Sequence, residues 1–264
     1  MAHDEVVALE GVPNPALSFV LLSMGWFVIS KSILRTLAPQ QARVQGPVTV
    51  WKWVNTANSL IHSFFTGFGA LVCVYFHPRV AENVVSTYSD FSHRLVCYSV
   101  GYFIFDFLDM LMNHRKRSSY ELMLHHVFVL SCFILSIVTR YYLAFTIISL
   151  VVEVNSIFLH WRQLLIITRT PKTTLYYRTV SVVNLITFVM FRIVTLGWMT
   201  RWMALNRILV NAAPYAVGCV SIAVLMLMSM ILFVRLLKAD FHNNSVEKTN
   251  CSKNSPCANN NKAQ

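Results

Sequence analysis

The stretch YELMLHHVFVLSC, residues 120–132, opens an apolar run that reaches Thr139 and carries two adjacent ionisable residues, His125 and His126. A helix needs about 20 such residues, at about 1.5 Å each, to cross the hydrocarbon core of a bilayer. Six further runs of that kind lie on either side of it. The pattern predicts spans at Ala16–Ile33, Val54–Phe76, Leu95–Met112, Leu122–Thr139, Tyr142–Trp161, Val180–Met199 and Pro214–Leu237. The fourth and fifth almost touch, which predicts a tight hairpin at Arg140. Each span is expected to be helical, because backbone polar groups in lipid must be satisfied within the segment. Composition agrees: over 264 residues the chain is 56% hydrophobic and 12% charged, with a mean hydropathy of +0.54. The sequence therefore predicts an all-α polytopic membrane protein.

The formal net charge of +11 raises the question of nucleic acid. Its distribution answers differently. Sixteen Lys and Arg residues lie in the loops and tail after spans one, three, five and seven or in the last turn leading into them, and five lie on the opposite side. Lys31 and Arg235 are the two in a last turn. That asymmetry is the positive-inside signal, which predicts an extracellular or lumenal amino terminus and a cytoplasmic tail. The basicity is thus topological, with some attraction to anionic lipid, and no nucleic-acid partner is expected. The acidic flank MAHDEVVALEG and the lack of a small-residue cleavage site predict a retained anchor in the first span.

Residues from Asp240 onward are rich in Asn, Ser and Lys and lack apolar periodicity, which predicts a disordered tail. Its sequons at Asn243 and Asn250 face away from the glycosylation machinery in this topology. Cys73, Cys97, Cys132 and Cys219 are expected to be free thiols in or beside spans. Cys251 and Cys257 fall in the tail, where palmitoylation is only weakly signalled. The KAQ ending is neither KDEL nor a dilysine signal, which is compatible with the plasma membrane as well as the endoplasmic reticulum.

With a direction assigned to each span, position becomes depth at about 1.5 Å per residue. His62, Asp106, Asp109, His125, His126, Glu153 and Ser156 then all fall in the cytoplasmic half. Ionisable groups in a membrane are costly and face the bundle interior or a wet cavity. His62, Asp106, Asp109, Glu153 and Ser156, with Asn184, are the candidate polar end of a binding cavity, and His125 and His126 are candidate acid–base residues beside it. Asp106 and Asp109 share a helix face, as do Glu153, Ser156 and His160. Adjacent histidines diverge by about 100°, so one can face a cavity while the other bonds a neighbouring helix. Structural readings stand beside these. Ser118-Ser-Tyr-Glu121 fits a capping box, with Glu121 capping the fourth span. Asp109 could pair with Arg115. Arg192, deep in the sixth span, needs a counter-charge that Asp106 or Glu153 could supply. His160 and Trp161 fit the interface. His62 could bond across helices.

Two chemistries compete at His125 and His126. A metal site is disfavoured by the HH spacing, which lacks the one-face HxxxH arrangement of a helical metal centre, and no metal is expected. General acid–base catalysis would have a histidine take a hydroxyl or amine proton, suiting acyl transfer from acyl-CoA to a lipid. No GxSxG, HEXXH or P-loop competes with it.

The stretches WKWVNTANSLIHSFFTG, SVGYFIFDFLDM, YELMLHHV, SLVVEVNSIFLHWRQLL and FRIVTLGWM resemble the TLC-domain family, which includes ceramide synthases and translocating-chain-associated membrane proteins. The resemblance runs from about Trp51 to Leu237 and is nearest to the family's small members. It implies a six-helix TLC bundle over 47–239 enclosing a hydrophobic cavity, preceded by one helix within 1–46 and followed by the tail 240–264. In ceramide synthases the paired histidines are catalytic, and the next helix carries a His-Asp and a second Asp three residues on. Here the pair is kept, but Val152-Glu153 and Ser156 stand at the other positions. The resemblance to the small members implies control of plasma-membrane phospholipid composition and fluidity, with limited incorporation of polyunsaturated chains. On this reading membrane phospholipids are the partners, no cofactor is needed, and acyl-CoA is a candidate substrate. The alternatives are an acyl-CoA-dependent acyltransferase and a non-catalytic adaptor of a channel or acyltransferase.

Overall fold

The computed structural model describes residues 14–76, 83–113 and 117–242. No strand occurs among them. In chain order the helices are α1 (Ala16–Leu37), α2 (Gln40–Val44), α3 (Pro47–Phe76), α4 (Asp90–Asn113), α5 (Arg117–Thr139), α6 (Leu143–Leu150), α7 (Glu153–Ile167), α8 (Leu175–Thr187), α9 (Val194–Leu205) and α10 (Ala212–Leu237). Seven candidate spans result: α1, α3, α4, α5 from Tyr120, α6 with α7, α8 with α9, and α10 extended to Asp240. Six contain the predicted span whole; the fifth starts one residue later than predicted, at Leu143, and runs on to Ile167. The chain therefore crosses a membrane repeatedly.

Contacts group the chain into a unit through Met226 and a second unit from Leu227. In the first, α4 is the hub: α1, α3, α5 and α6 all pack on it, while α3 also packs on α7 and α7 on α8. Gly101 explains how closely α1 approaches α4. A Cβ there would stand 2.5 Å from Ser23 Cβ and 2.6 Å from the Val20 carbonyl oxygen. Phe27 of α1 is fully buried against Tyr98 and Tyr102 of α4. Ser30 Oγ donates to Asn58 Oδ1 at 2.8 Å, and Asn58 Nδ2 donates to the Phe27 carbonyl, tying α1 to α3. The second unit comprises the last turns of α10 and a π turn, Lys238–His242. Helical structure thus passes Asp240, where the sequence predicted the disordered tail to begin. The sequons, Cys251 and Cys257 lie outside the described residues.

The α5–α6 hairpin forms at Arg140, as the spacing predicted. Arg140 and Tyr142 both adopt left-handed backbone, with φ of 61° and 62°. The amide of Tyr142 donates to the Val85 carbonyl at 2.7 Å, anchoring the turn. Two departures matter for the site. The fifth span breaks at Val151–Val152, where amides bond carbonyls three residues back instead of four. The sixth contains a π-helical stretch, Phe188–Ile193, that carries Arg192. Such local rewinding re-aims side chains and recurs at functional positions.

Candidate functional site: a stepped polar core

The end of the bundle at which α1 and α4 finish is called the basic end here, after its cationic loops. Three polar layers rise from it. The first lies about 6–9 Å in. Lys31 of α1 donates to Asp109 Oδ1, and Trp51 Nε1 of α3 donates to Oδ2 at 3.0 Å. Asn113 Nδ2 adds bonds to the Asp109 carboxylate and carbonyl. Asp109 is buried and both its oxygens accept hydrogen bonds, so it joins three helices. Its cation is Lys31, inside the first span; Arg115 lies outside the described residues.

The second layer is about 10–14 Å in and holds Asp106, Asn55 and His126. Asn55 Nδ2 donates to Asp106 Oδ1. His126 Nε2 stands 3.2 Å from Asp106 Oδ2, and its Nδ1 donates to the Leu122 carbonyl at 2.7 Å. Both groups are buried. The His125 ring stands perpendicular to that of His126, with centroids 5.6 Å apart. It is half-buried and makes no hydrogen bond among the described residues. His160 of α7, also half-buried, is about 10 Å from its helix end and within electrostatic reach of Asp106 and Arg192. The sequence placed it at the interface; the structure places it in this layer.

The third layer lies about 21–24 Å in, near the middle of the bilayer. His62 Nε2 bonds Ser99 Oγ at 3.0 Å, and its ring stacks on Tyr102 with centroids 3.9 Å apart. His62 is buried among aromatic rings and does not reach an open surface. Beside it, Ser63 Oγ donates to Glu153 Oε2 at 2.7 Å. The contact depends on Gly67, because a Cβ there would lie 2.9 Å from the Val154 amide nitrogen. The common depth expected for these groups is therefore resolved into steps. Glu153 lies deeper than predicted because α7 continues past Trp161 to Ile167.

Between the second and third layers an amide–guanidinium network joins α7 to the sixth span. Asn155 Nδ2 donates to the Asn184 carbonyl at 3.0 Å and its Oδ1 at 3.2 Å, and to Thr187 Oγ1 at 3.2 Å. Arg192 Nε donates to Asn155 Oδ1 at 3.1 Å, and Nη2 to Ser156 Oγ at 2.8 Å. The guanidinium also lies over the Phe188 ring. Sequence reasoning gave Arg192 a carboxylate partner; among the described residues it forms no ion pair, and neutral acceptors hold it. Glu153 is within electrostatic reach of it. Ser156 and Asn184 are engaged here, although Ser156 and Glu153 reach different neighbours despite sharing a helix. Asn155 is fully buried and bonds four groups, yet sequence reasoning passed over it.

The side chains of Ser118 and Ser119 lie outside the described residues, and with them the capping box assigned to Glu121. Among the described residues no three His, Cys, Asp or Glu side chains converge as metal ligands. Cys73, Cys97, Cys132 and Cys219 are free thiols.

A family model describing the TLC domain matches residues 52–238, which takes in every residue of this core except Lys31 and Trp51. The chain belongs to the TLC-domain family. TLC domain-containing protein 2 of Danio rerio is 44% identical over 227 residues, covering 86% of this chain and 90% of the relative. The human protein of the same name is 34% identical over 72% of each chain. TLC domain-containing protein 1 of Mus musculus is 31% identical over 83% of this chain and 89% of its own length. The TLC match begins after α1, yet Lys31 reaches into the domain to hold Asp109.

Proposed function

We propose that this TLC-domain protein regulates the acyl composition of plasma-membrane phospholipid, limiting polyunsaturated chains and keeping the membrane more rigid. It does so by binding a lipid whose polar end rests at His125 and His160, in the cytoplasmic half of the bundle. One observation carries the reading. In a layer where Asp106, Asn55 and His126 satisfy one another, His125 alone of the histidine pair is half-buried with both ring nitrogens unengaged. An ionisable side chain placed so deep faces the bundle interior or a wet cavity, and a ring with no protein partner there is open to a polar ligand. The link to phospholipid acyl composition comes from the resemblance to the small family members and goes beyond what the relatives' names say. The reading is tested by comparing phospholipid profiles and membrane order in cells with and without the protein. Expression is expected to lower the polyunsaturated fraction and raise order, and no change in either overturns it.

A second reading, acyl transfer from acyl-CoA, is favoured by the same unengaged imidazole, which is free to take a hydroxyl or amine proton. Against it, Glu153 bonds Ser63 and Ser156 bonds Arg192, so neither orients the ring of His125. Labelled acyl-CoA incubated with purified protein and lipid acceptors separates the two readings. Product that disappears with His125→Ala would establish the enzyme; none is expected.

A further inference from the structure

Far from the basic end, an apolar groove of about 670 Å³ opens between α1, α3 and α4. That is within the roughly 300–1,000 Å³ of small-molecule sites. Its walls are aromatic: Trp26 of α1, Phe64, Phe65 and Phe68 of α3, and Phe91 of α4, all exposed. The floor is kept open where Gly69 meets Leu95; a Cβ on Gly69 would stand 2.9 Å from the leucine Cδ1. The single charged residue lining it is Arg94.

Depth gives the groove its meaning. Arg94 is four residues into α4, and Val72 is four residues from the end of α3, so both lie about 6 Å inside their helix ends. That is the thickness of the headgroup region, about 5–7 Å on each side of the hydrocarbon core. Phe64 and Trp26 lie about 15–18 Å from the same ends, close to the bilayer midplane. The groove therefore crosses one leaflet from headgroup level to the bilayer midplane, the path of one acyl chain. At its mouth the Arg94 guanidinium stacks over Phe19, 5.2 Å from the ring centroid. The nearby Asp90 accepts from the Tyr88 hydroxyl, and Arg94 forms no ion pair among the described residues. A guanidinium fixed on an aromatic face with its N–H edges unpaired is suited to a phosphate.

We propose that this groove binds a diacyl glycerophospholipid of the leaflet on the amino-terminal side, one acyl chain along the aromatic walls and its phosphate on Arg94. The site is separate from the polar core: no residue is shared, and it lies in the opposite leaflet. A lipid held here would let the protein meet phospholipid on both sides of the membrane.

The test titrates purified full-length protein with dioleoyl phosphatidylcholine and counts retained lipid by native mass spectrometry. Arg94→Gln is expected to raise the half-saturating concentration about tenfold or more, the value of one charge-assisted phosphate contact. Gly69→Leu, which closes the floor, is expected to have the same effect, and dioleoylglycerol, which lacks the phosphate, to be retained poorly by wild type. Because the polar core is proposed to hold a lipid of its own, the comparison is repeated on a His125→Ala background, where Arg94→Gln is expected to have the same effect. Equal retention by wild type and Arg94→Gln overturns the proposal, as does equal retention of dioleoylglycerol. Arg94 is exposed, so Arg94→Gln is expected to match wild type in helical content and melting temperature, which keeps the comparison interpretable.

Discussion

His126 stands between two acceptors, the Leu122 carbonyl at 2.7 Å and Asp106 Oδ2 at 3.2 Å. A carbonyl can only accept, so Nδ1 carries a proton. If Asp106 is ionised, Nε2 must carry one too, and the pair is imidazolium–carboxylate; if not, the proton lies on Asp106 and bonds a neutral ring. Either way the pair shares one proton and is neutral overall, which suits its burial.

Breaking that pair from one side is expected to be costly. Asp106→Ala strands a histidine and the Asn55 amide, and is predicted to destabilise the protein by about 3–5 kcal/mol, the range for removing one partner of a buried pair. Asp106→Asn combined with His126→Gln replaces both by neutral amides and is predicted to cost less than the sum of the single changes. Denaturation midpoints in detergent for wild type, Asp106→Asn, His126→Gln and the double variant measure the coupling, and that of Asp106→Ala checks the first loss. Strict additivity would show that the two residues do not act as a unit.

Lys31 and Asp109 fasten α1 to the domain. Lys31 is about a third exposed and Asp109 buried. Lys31→Met is predicted to destabilise toward the lower end of the ~3–5 kcal/mol range, since Trp51 and Asn113 still hold the carboxylate. Adding Asp109→Asn should recover part of the loss. Protease sensitivity between α1 and α3 reads the same event, and should rise with Lys31→Met and fall again in the double variant.

Gly67→Ala would press a methyl group against the backbone at Val154. A cost of about 1–3 kcal/mol is predicted from overpacking, with the Ser63–Glu153 bond lost. Gly197 meets nothing within 4 Å, so Gly197→Ala is predicted to be neutral or to stabilise by up to about 1 kcal/mol. Equal melting shifts for the two alanines would contradict the close approach of α3 to α7.

Arg192→Lys keeps the charge but loses the forked contact to Asn155 and Ser156. A loss of about 1–3 kcal/mol is predicted, because the buried amide oxygen of Asn155 loses a donor. Thermal unfolding of Arg192→Lys beside wild type checks it; an unchanged midpoint would mean the guanidinium fork is dispensable.

The spans were legible because lipid leaves the backbone one solution per apolar run. The divergence of His125 and His126 followed from helical geometry alone. Other features had no sequence signature. The break at Val151–Val152 and the π stretch at Phe188–Ile193 lie inside predicted spans, where hydropathy is blind to which carbonyl an amide bonds. Asn55 and Asn155 were missed because a search for charges passes over amides, although amides satisfy Asp106 and Arg192. Lys31 was read as a loop cation by topology, and its partner depends on how α1 crosses α4. The depth of Glu153 was misjudged because the apolar run stops at Trp161 while the helix does not: Arg162 is buried, over the Tyr177 ring.

The central claim is that His125, half-buried with both ring nitrogens unengaged, is where the protein handles lipid. It is tested most directly by phospholipid profiles of cells expressing wild type or His125→Ala at matched membrane levels. The polyunsaturated fraction is predicted to be low with wild type and to return to the level of non-expressing cells with His125→Ala. A polyunsaturated fraction as low with His125→Ala as with wild type would contradict the claim.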